Sequence, residues 1–215
     1  MMNIKNIYRS YTPDEILQIL LEMYRISSFI DCEVDEGLEF TKDTTIYEYR
    51  TSCDLLPWHK LYKIENEIFR MNVPWTVWKE LANQEDEKTL WDLCMLVSEH
   101  AKKVVIKPVT IFGKESLEAG VFLTLKRNLK ERGIDVKSIR PSTSLQHWGC
   151  SHFPYLMAEV ALTGTKPFES IKVKLRNDIS FWRKVNIFSS NRYCIETGSI
   201  KTFRDLTKQM AKELA

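Results

Sequence analysis

Glycine is scarce, at 7 in 215 residues, and no GxxxxGK[ST] or GxGxxG run occurs. Backbone cradles for phosphates and dinucleotides are built on such runs, so those binding loops are excluded. HExxH, GxSxG and the protein-kinase signature set are missing as well, which removes zincin, α/β-hydrolase and kinase chemistry of the usual form. Cysteine is sparse and unpaired: Cys32, Cys53, Cys94, Cys150 and Cys194 are odd in number, scattered, and without a CxxC. They form no disulfide framework and suit a reducing cytosol. Each reads first as a small buried hydrophobe, Cys94 above all because it sits on the apolar face of a helix. Long apolar runs are lacking too. The stretch Ile16–Met23 falls well short of the roughly 20 residues of a membrane span, and the first residues do not form a secretory signal. The expectation is a cytoplasmic protein that does not engage the membrane.

What is present is an ordinary globular composition, 44% hydrophobic and 28% charged, with enough chain for a sizeable core. The net charge of +2 hides an uneven distribution. Residues 1–100 hold 10 basic and 19 acidic side chains, a net of −9, and residues 101–215 hold 21 and 10, a net of +11. An asymmetry of this kind marks an anionic partner or two surfaces that face each other.

Thr12-Pro13-Asp14-Glu15 is a helix start with a capping box, followed by apolar residues to Tyr24. Thr44–Thr51, rich in β-branched and aromatic residues, predicts a strand. Residues 55–82, punctuated by Pro57 and Pro74, predict short helices. A helix is expected over Thr89–Lys102, a broken or edge strand over Val104–Phe112, and a helix over Ser116–Arg132 ended by Gly133. Gly120 inside that helix predicts close approach of another element. Further elements are a turn at Ile139–Thr143, a helix from about Pro154 to Gly164, a strand at Ile171–Arg176, strands at Val185–Phe188 and Arg192–Glu196, and a last helix from Thr202. No internal repeat is apparent. The pattern predicts a helix-rich α+β fold, a small mixed or antiparallel sheet with about six helices. A single domain over 1–215 is expected, with subdivision near 100–105 or 165 as the alternative.

The residues best suited to chemistry gather at His147-Trp148-Gly149-Cys150-Ser151-His152. Imidazole and thiolate are preferred zinc ligands, so His147, Cys150 and His152 are candidate metal ligands, with Cys194 or His100 as a fourth. The same trio offers Cys150 as a nucleophile with His152 or His147 as its base. Equally, Trp148 can pack inward in a loop or helix entrance whose histidines serve as caps. The basic last third, with 11 basic and 5 acidic side chains in residues 165–215, suits nucleic acid. Lys172, Lys174 and Arg176 share one strand face, and Phe168, Phe181, Trp182, Phe188, Tyr193 and Phe203 could stack bases. Acidic runs at Asp35-Glu36 and Glu85-Asp86-Glu87 read as solvated loops.

Phe112-Gly113-Lys114-Glu115-Ser116-Leu117-Glu118-Ala119 leads into Gly133-Ile134-Asp135-Val136. Residues 112–145 resemble the core of an acyl carrier protein, in which a D-S-L motif opens an amphipathic helix that ends in a short F-G-I-x-I-like segment. The resemblance implies Ser116 as the carrier of a phosphopantetheine arm and Thr89–Lys102 as the preceding helix. Glu115 stands where that motif has Asp, and Lys126, Arg127, Lys130 and Arg132 make the following helix basic where carriers are acidic. Read from the residues alone, Ser116 is a helix N-cap. The function expected from the whole chain is a non-enzymatic interaction or regulatory module that meets a protein partner or a second copy of itself. The alternatives are a zinc- or thiol-dependent enzyme and a nucleic-acid binder.

Overall fold

In the computed structural model, residues 7–28, 38–52, 57–175 and 193–215 are described, with side chains except at 147, 149–151, 173–175 and 193–194. The strand expected over Val185–Phe188 lies outside them, as does Arg192 of the strand expected over Arg192–Glu196. The fold is α+β and rich in helix, with eight helices among the described residues and three two-stranded antiparallel sheets. None of these helices is long and apolar enough to cross a membrane. The chain forms two compact units, residues 1–105 with 162–164 and residues 106–161 with 165–215.

In the first unit, β1 (Tyr8–Ser10) pairs antiparallel with β2 (Lys102–Val104). Helix α1 (Pro13–Ser28) starts as the sequence predicts: Thr12 Oγ1 accepts the Glu15 N–H, and the Glu15 carboxylate accepts the Thr12 N–H at 3.0 Å. Its residues Ile16, Ile19 and Leu20 are buried, and α1 packs on α5 (Leu90–His100), whose Leu90, Leu93, Cys94 and Val97 are buried too. Between them come α2 (Ile46–Thr51), α3 (Trp58–Ile68) and α4 (Trp75–Asn83).

Helix α2 replaces the strand predicted over Thr44–Thr51. A capping box decides it: the Thr45 side chain accepts the Glu48 N–H at 3.2 Å, and the Glu48 carboxylate accepts the Thr45 N–H at 2.9 Å. Ile46 and Tyr49, three residues apart, then both point inward, so the cap and the buried spacing override β propensity. Glu85, expected in a solvated run, is instead tied to Arg50 and accepts from Trp58 Nε1 at 2.8 Å, while the Arg50 guanidinium lies 5.1 Å from the Trp58 ring centre.

In the second unit, β3 (Val109–Ile111) and β4 (Lys114–Ser116) form a hairpin closed by Phe112 and Gly113, both with positive φ. The apolar run from Val104 is thus broken between two sheets. Helix α6 (Leu117–Glu131) follows, and its Val121, Leu125 and Leu129 are fully buried. Gly120 meets the expected close approach: a Cβ there would lie 2.1 Å from the Lys107 carbonyl oxygen. Helix α7 (Leu145–Leu162) begins nine residues before Pro154, correcting the predicted start. The Leu145 N–H is held by the Lys201 carbonyl at 2.9 Å, and Pro154 sits inside the helix at the cost of one i→i−4 hydrogen bond. Strands β5 (Lys172–Leu175) and β6 (Tyr193–Glu196) pair antiparallel, and α8 (Phe203–Leu214) packs on α6.

An internal correspondence, absent from the sequence expectation, joins the two units in kind. In the first, Ile46 N–H bonds the Lys88 carbonyl and Leu90 N–H bonds the Thr44 carbonyl, so the starts of α2 and α5 are cross-tied. In the second, Leu145 N–H bonds the Lys201 carbonyl and Phe203 N–H bonds the Thr143 carbonyl, tying α7 to α8 in the same way. The sequences at these starts read Lys88-Thr89-Leu90-Trp91-Asp92-Leu93 and Lys201-Thr202-Phe203-Arg204-Asp205-Leu206, and both carry capping boxes. The buried positions match as well: Leu90, Leu93, Cys94 and Val97 against Phe203, Leu206, Thr207 and Met210.

Candidate functional site

His147, Cys150 and His152 lie in the first half of α7, with His147 in its opening turn, so the segment is the entrance of a helix and not a loop. Positions 147 and 150 are three residues apart and share a face, while 152 lies about 200° around the helix from 150. The His152 ring stacks on Trp148 at 4.8 Å and 22°, with Nδ1 3.4 Å from the Trp148 carbonyl oxygen. Trp148 in turn meets Phe203 edge-on at 5.2 Å, and Phe203 meets Phe122 at 6.4 Å. His152 thus belongs to an aromatic row inside the second unit. The side chains of His147, Cys150 and Cys194 fall outside the description, and His100 is exposed at the end of α5. Among the described residues, no three His, Cys, Asp or Glu side chains gather as a metal-binding group.

Ser116 is the N-cap of α6, its Oγ accepting the Ala119 N–H at 3.2 Å. Lys172 is exposed on β5 and faces Glu196 in register; Lys174 faces Cys194, and Arg176 lies outside the described residues. Phe168 and Phe203 are 2% and 1% exposed. They are core residues and unable to stack on a base, which corrects that part of the nucleic-acid expectation. Phe181, Trp182 and Phe188 lie outside the described residues.

Two groupings were not anticipated. In the first unit, Glu65 is buried with Leu61 on the inner face of α3, and its Oε2 has no hydrogen-bond partner. Burial pushes its carboxyl up to about 7. The buried Cys94 thiol is pushed up to about 12, first by burial and then by Glu65 and Asp14, so it stays protonated and is no nucleophile. A carboxylate at i+4 from a leucine, on an otherwise apolar stripe, was the sequence signal for Glu65.

In the second unit, Lys126 Nζ and Arg140 Nη1 both donate to the Ile139 carbonyl oxygen, at 2.8 and 3.2 Å. Burial and then the charge of Arg140 hold the Lys126 ammonium below its ordinary range. These residues are 14 apart in a chain that reverses at Gly133, which has φ +81°. No local pattern announces them. Preorganised cations of this kind bind anions. Comparison with protein-family models, curated protein sequences and solved structures finds no match.

Proposed function

We propose that the chain is a non-enzymatic interaction module whose two units present surfaces of opposite charge to a protein partner or to a second copy of the chain. One observation carries the reading: the charge imbalance follows the folding units. The first holds 12 basic and 19 acidic residues, a net of −7, and the second holds 19 and 10, a net of +9. Fields of this size raise encounter rates with surfaces of opposite sign and weaken as salt screens them. Between copies, an acidic unit meeting a basic one is a head-to-tail contact, which closes into a ring or extends.

Sedimentation velocity of the full chain at about 0.05 M and about 0.5 M salt tests this, with polyglutamate and polylysine peptides as model partners. Self-association or peptide binding that dissolves at the higher salt is expected. A monomer that binds neither peptide at either salt overturns the proposal. So does turnover in a broad activity screen that is lost in Cys150→Ala, which would move the function to the thiol chemistry of α7.

A further inference from the structure

The end of α6 and the turn after it concentrate positive charge that folding leaves largely uncompensated. Residues 126–140 carry six basic side chains against Glu131 and Asp135. Arg127 pairs with Glu131 at 4.0 Å, and Arg132 pairs with the buried Glu159. Lys126, Lys130, Lys137 and Arg140 make no ion pair among the described residues.

Two of these four are held in place. Lys126 Nζ and Arg140 Nη1 lie 2.8 and 3.2 Å from the same Ile139 oxygen, so they are at most about 6 Å apart. The Lys137 carbonyl accepts a second bond from Arg140 Nη1 at 2.7 Å. The backbone beneath is locked: Arg140 N–H donates to Thr143 Oγ1 at 2.8 Å, and Thr143 N–H returns to the Arg140 carbonyl at 2.9 Å. Pro141 accepts from the Arg204 N–H at 2.7 Å, fastening the turn to the start of α8. The Phe122 ring, 6.0 Å from Lys126 Nζ, supports the ammonium from the side.

Carbonyl oxygens orient these cations without cancelling their charge. Guanidinium keeps most of its five donors and ammonium two of its three. Two fixed positive charges so close, with donors to spare, suit an anion of two charges whose oxygens point in more than one direction. A carboxylate offers one charge and one edge; a phosphate monoester offers both.

We propose that Lys126 and Arg140 bind a phosphate monoester group, the guanidinium gripping two oxygens and the ammonium a third. The site is independent of the partner reading above, because it concerns one small anion on one unit. Inorganic phosphate is titrated into the full chain against sodium chloride at matched ionic strength, with amide chemical shifts as the readout. Saturable shifts at residues 126 and 137–143 are expected. Arg140→Gln should weaken binding about tenfold or more, and Arg140→Lys, which keeps the charge but loses the fork, about threefold or more. Lys172→Gln, on β5, should leave it unchanged. Lys126→Met also removes a tether to Ile139, so the Arg140 pair carries the test. Free phosphoserine or AMP binding more tightly than inorganic phosphate, with the same Arg140 dependence, supports the site and names the source. Three results overturn it: no saturable shift, binding untouched by Arg140→Gln (an adventitious ion only), or binding of single-stranded RNA with no response to phosphate.

Discussion

Glu65 gives the sharpest physical test of the first unit's core. Its side chain is buried, 5% exposed, and among the described residues one carboxylate oxygen lacks a hydrogen bond and no cation lies beside it. Burial moves its carboxyl from 4.5 up to about 7. Each tenfold preference for the protonated form is about 1.4 kcal/mol, so ionising Glu65 in the fold costs about 3 kcal/mol more than in the unfolded chain. The sign follows from proton counting. Between pH 4.5 and about 7 the folded state holds a proton that the unfolded state has lost, so stability falls with rising pH across that window. Below it the contribution is fully present; above about 7 it is gone. Glu65→Gln keeps the shape and removes the titration. Its buried amide carries a constant cost, so the diagnostic quantity is the slope with pH and not the offset. Urea unfolding followed by hydrogen exchange of α5 peptides, from pH 4.5 to 8.5, would measure it. Wild type should lose about 3 kcal/mol relative to Glu65→Gln across that range. Profiles that stay parallel within about 0.5 kcal/mol would refute the claim that Glu65 is buried without a counter-charge.

Gly120→Ala should destabilise the second unit by about 2 kcal/mol or more, because the new Cβ meets the Lys107 carbonyl backbone at 2.1 Å. In an open helix the same change would gain about 1 kcal/mol, so thermal unfolding of the variant separates the two cases by sign. Phe112 is fully exposed with φ +48°. Phe112→Asn should therefore raise stability by about 0.5–1 kcal/mol, since Asn tolerates the left-handed region better; a loss in denaturant midpoint would contradict this. Thr45→Ala and Thr202→Ala should each cost about 1 kcal/mol, seen as lower hydrogen-exchange protection of the Glu48 and Asp205 amides.

Elements whose signal is periodic were legible, and those decided by one local bond were misread. Helices α1, α5, α6 and α8 carry apolar residues at helical spacing; α5 and α6 lie within two residues of their expected bounds, and α1 and α8 start directly after their expected caps, Thr12 and Thr202. The strand predicted at Thr44–Thr51 fails because the β propensity of Thr, Ile and Tyr yields to Thr45 and Glu48, whose spacing is the same capping box as that of Thr12 and Glu15. Pro154 masks the first half of α7, since proline usually opens a helix, and so the histidine-bearing segment reads from sequence as a loop or a helix entrance. Glu65 leaves a sequence signal, a lone acid on an apolar stripe, that forms no part of the expectation. Lys126 and Arg140 were not, because their meeting depends on a reversal at Gly133 and on carbonyls that no side-chain pattern encodes.

The internal correspondence escaped sequence reading for a related reason, and it bears on the charge. What the cross-tied helix starts demand is a capping Thr, a following carboxylate, and backbone N–H and C=O groups; Lys88, Lys201, Thr44 and Thr143 contribute only carbonyls to the ties. Any residue can donate a carbonyl, so few positions are constrained and the likeness is thin in sequence. It follows that the remaining positions, the exposed ones above all, were free to differ without cost to this device. They differ in sign: one unit nets −7 and the other +9. Two units that solve the same helix-capping problem in the same way have no folding reason to carry opposite charge. Folding marginally disfavours a large net charge of either sign through self-repulsion. The charge is therefore the part of each unit that its own fold leaves unexplained, and the part on which a partner or an anion would act.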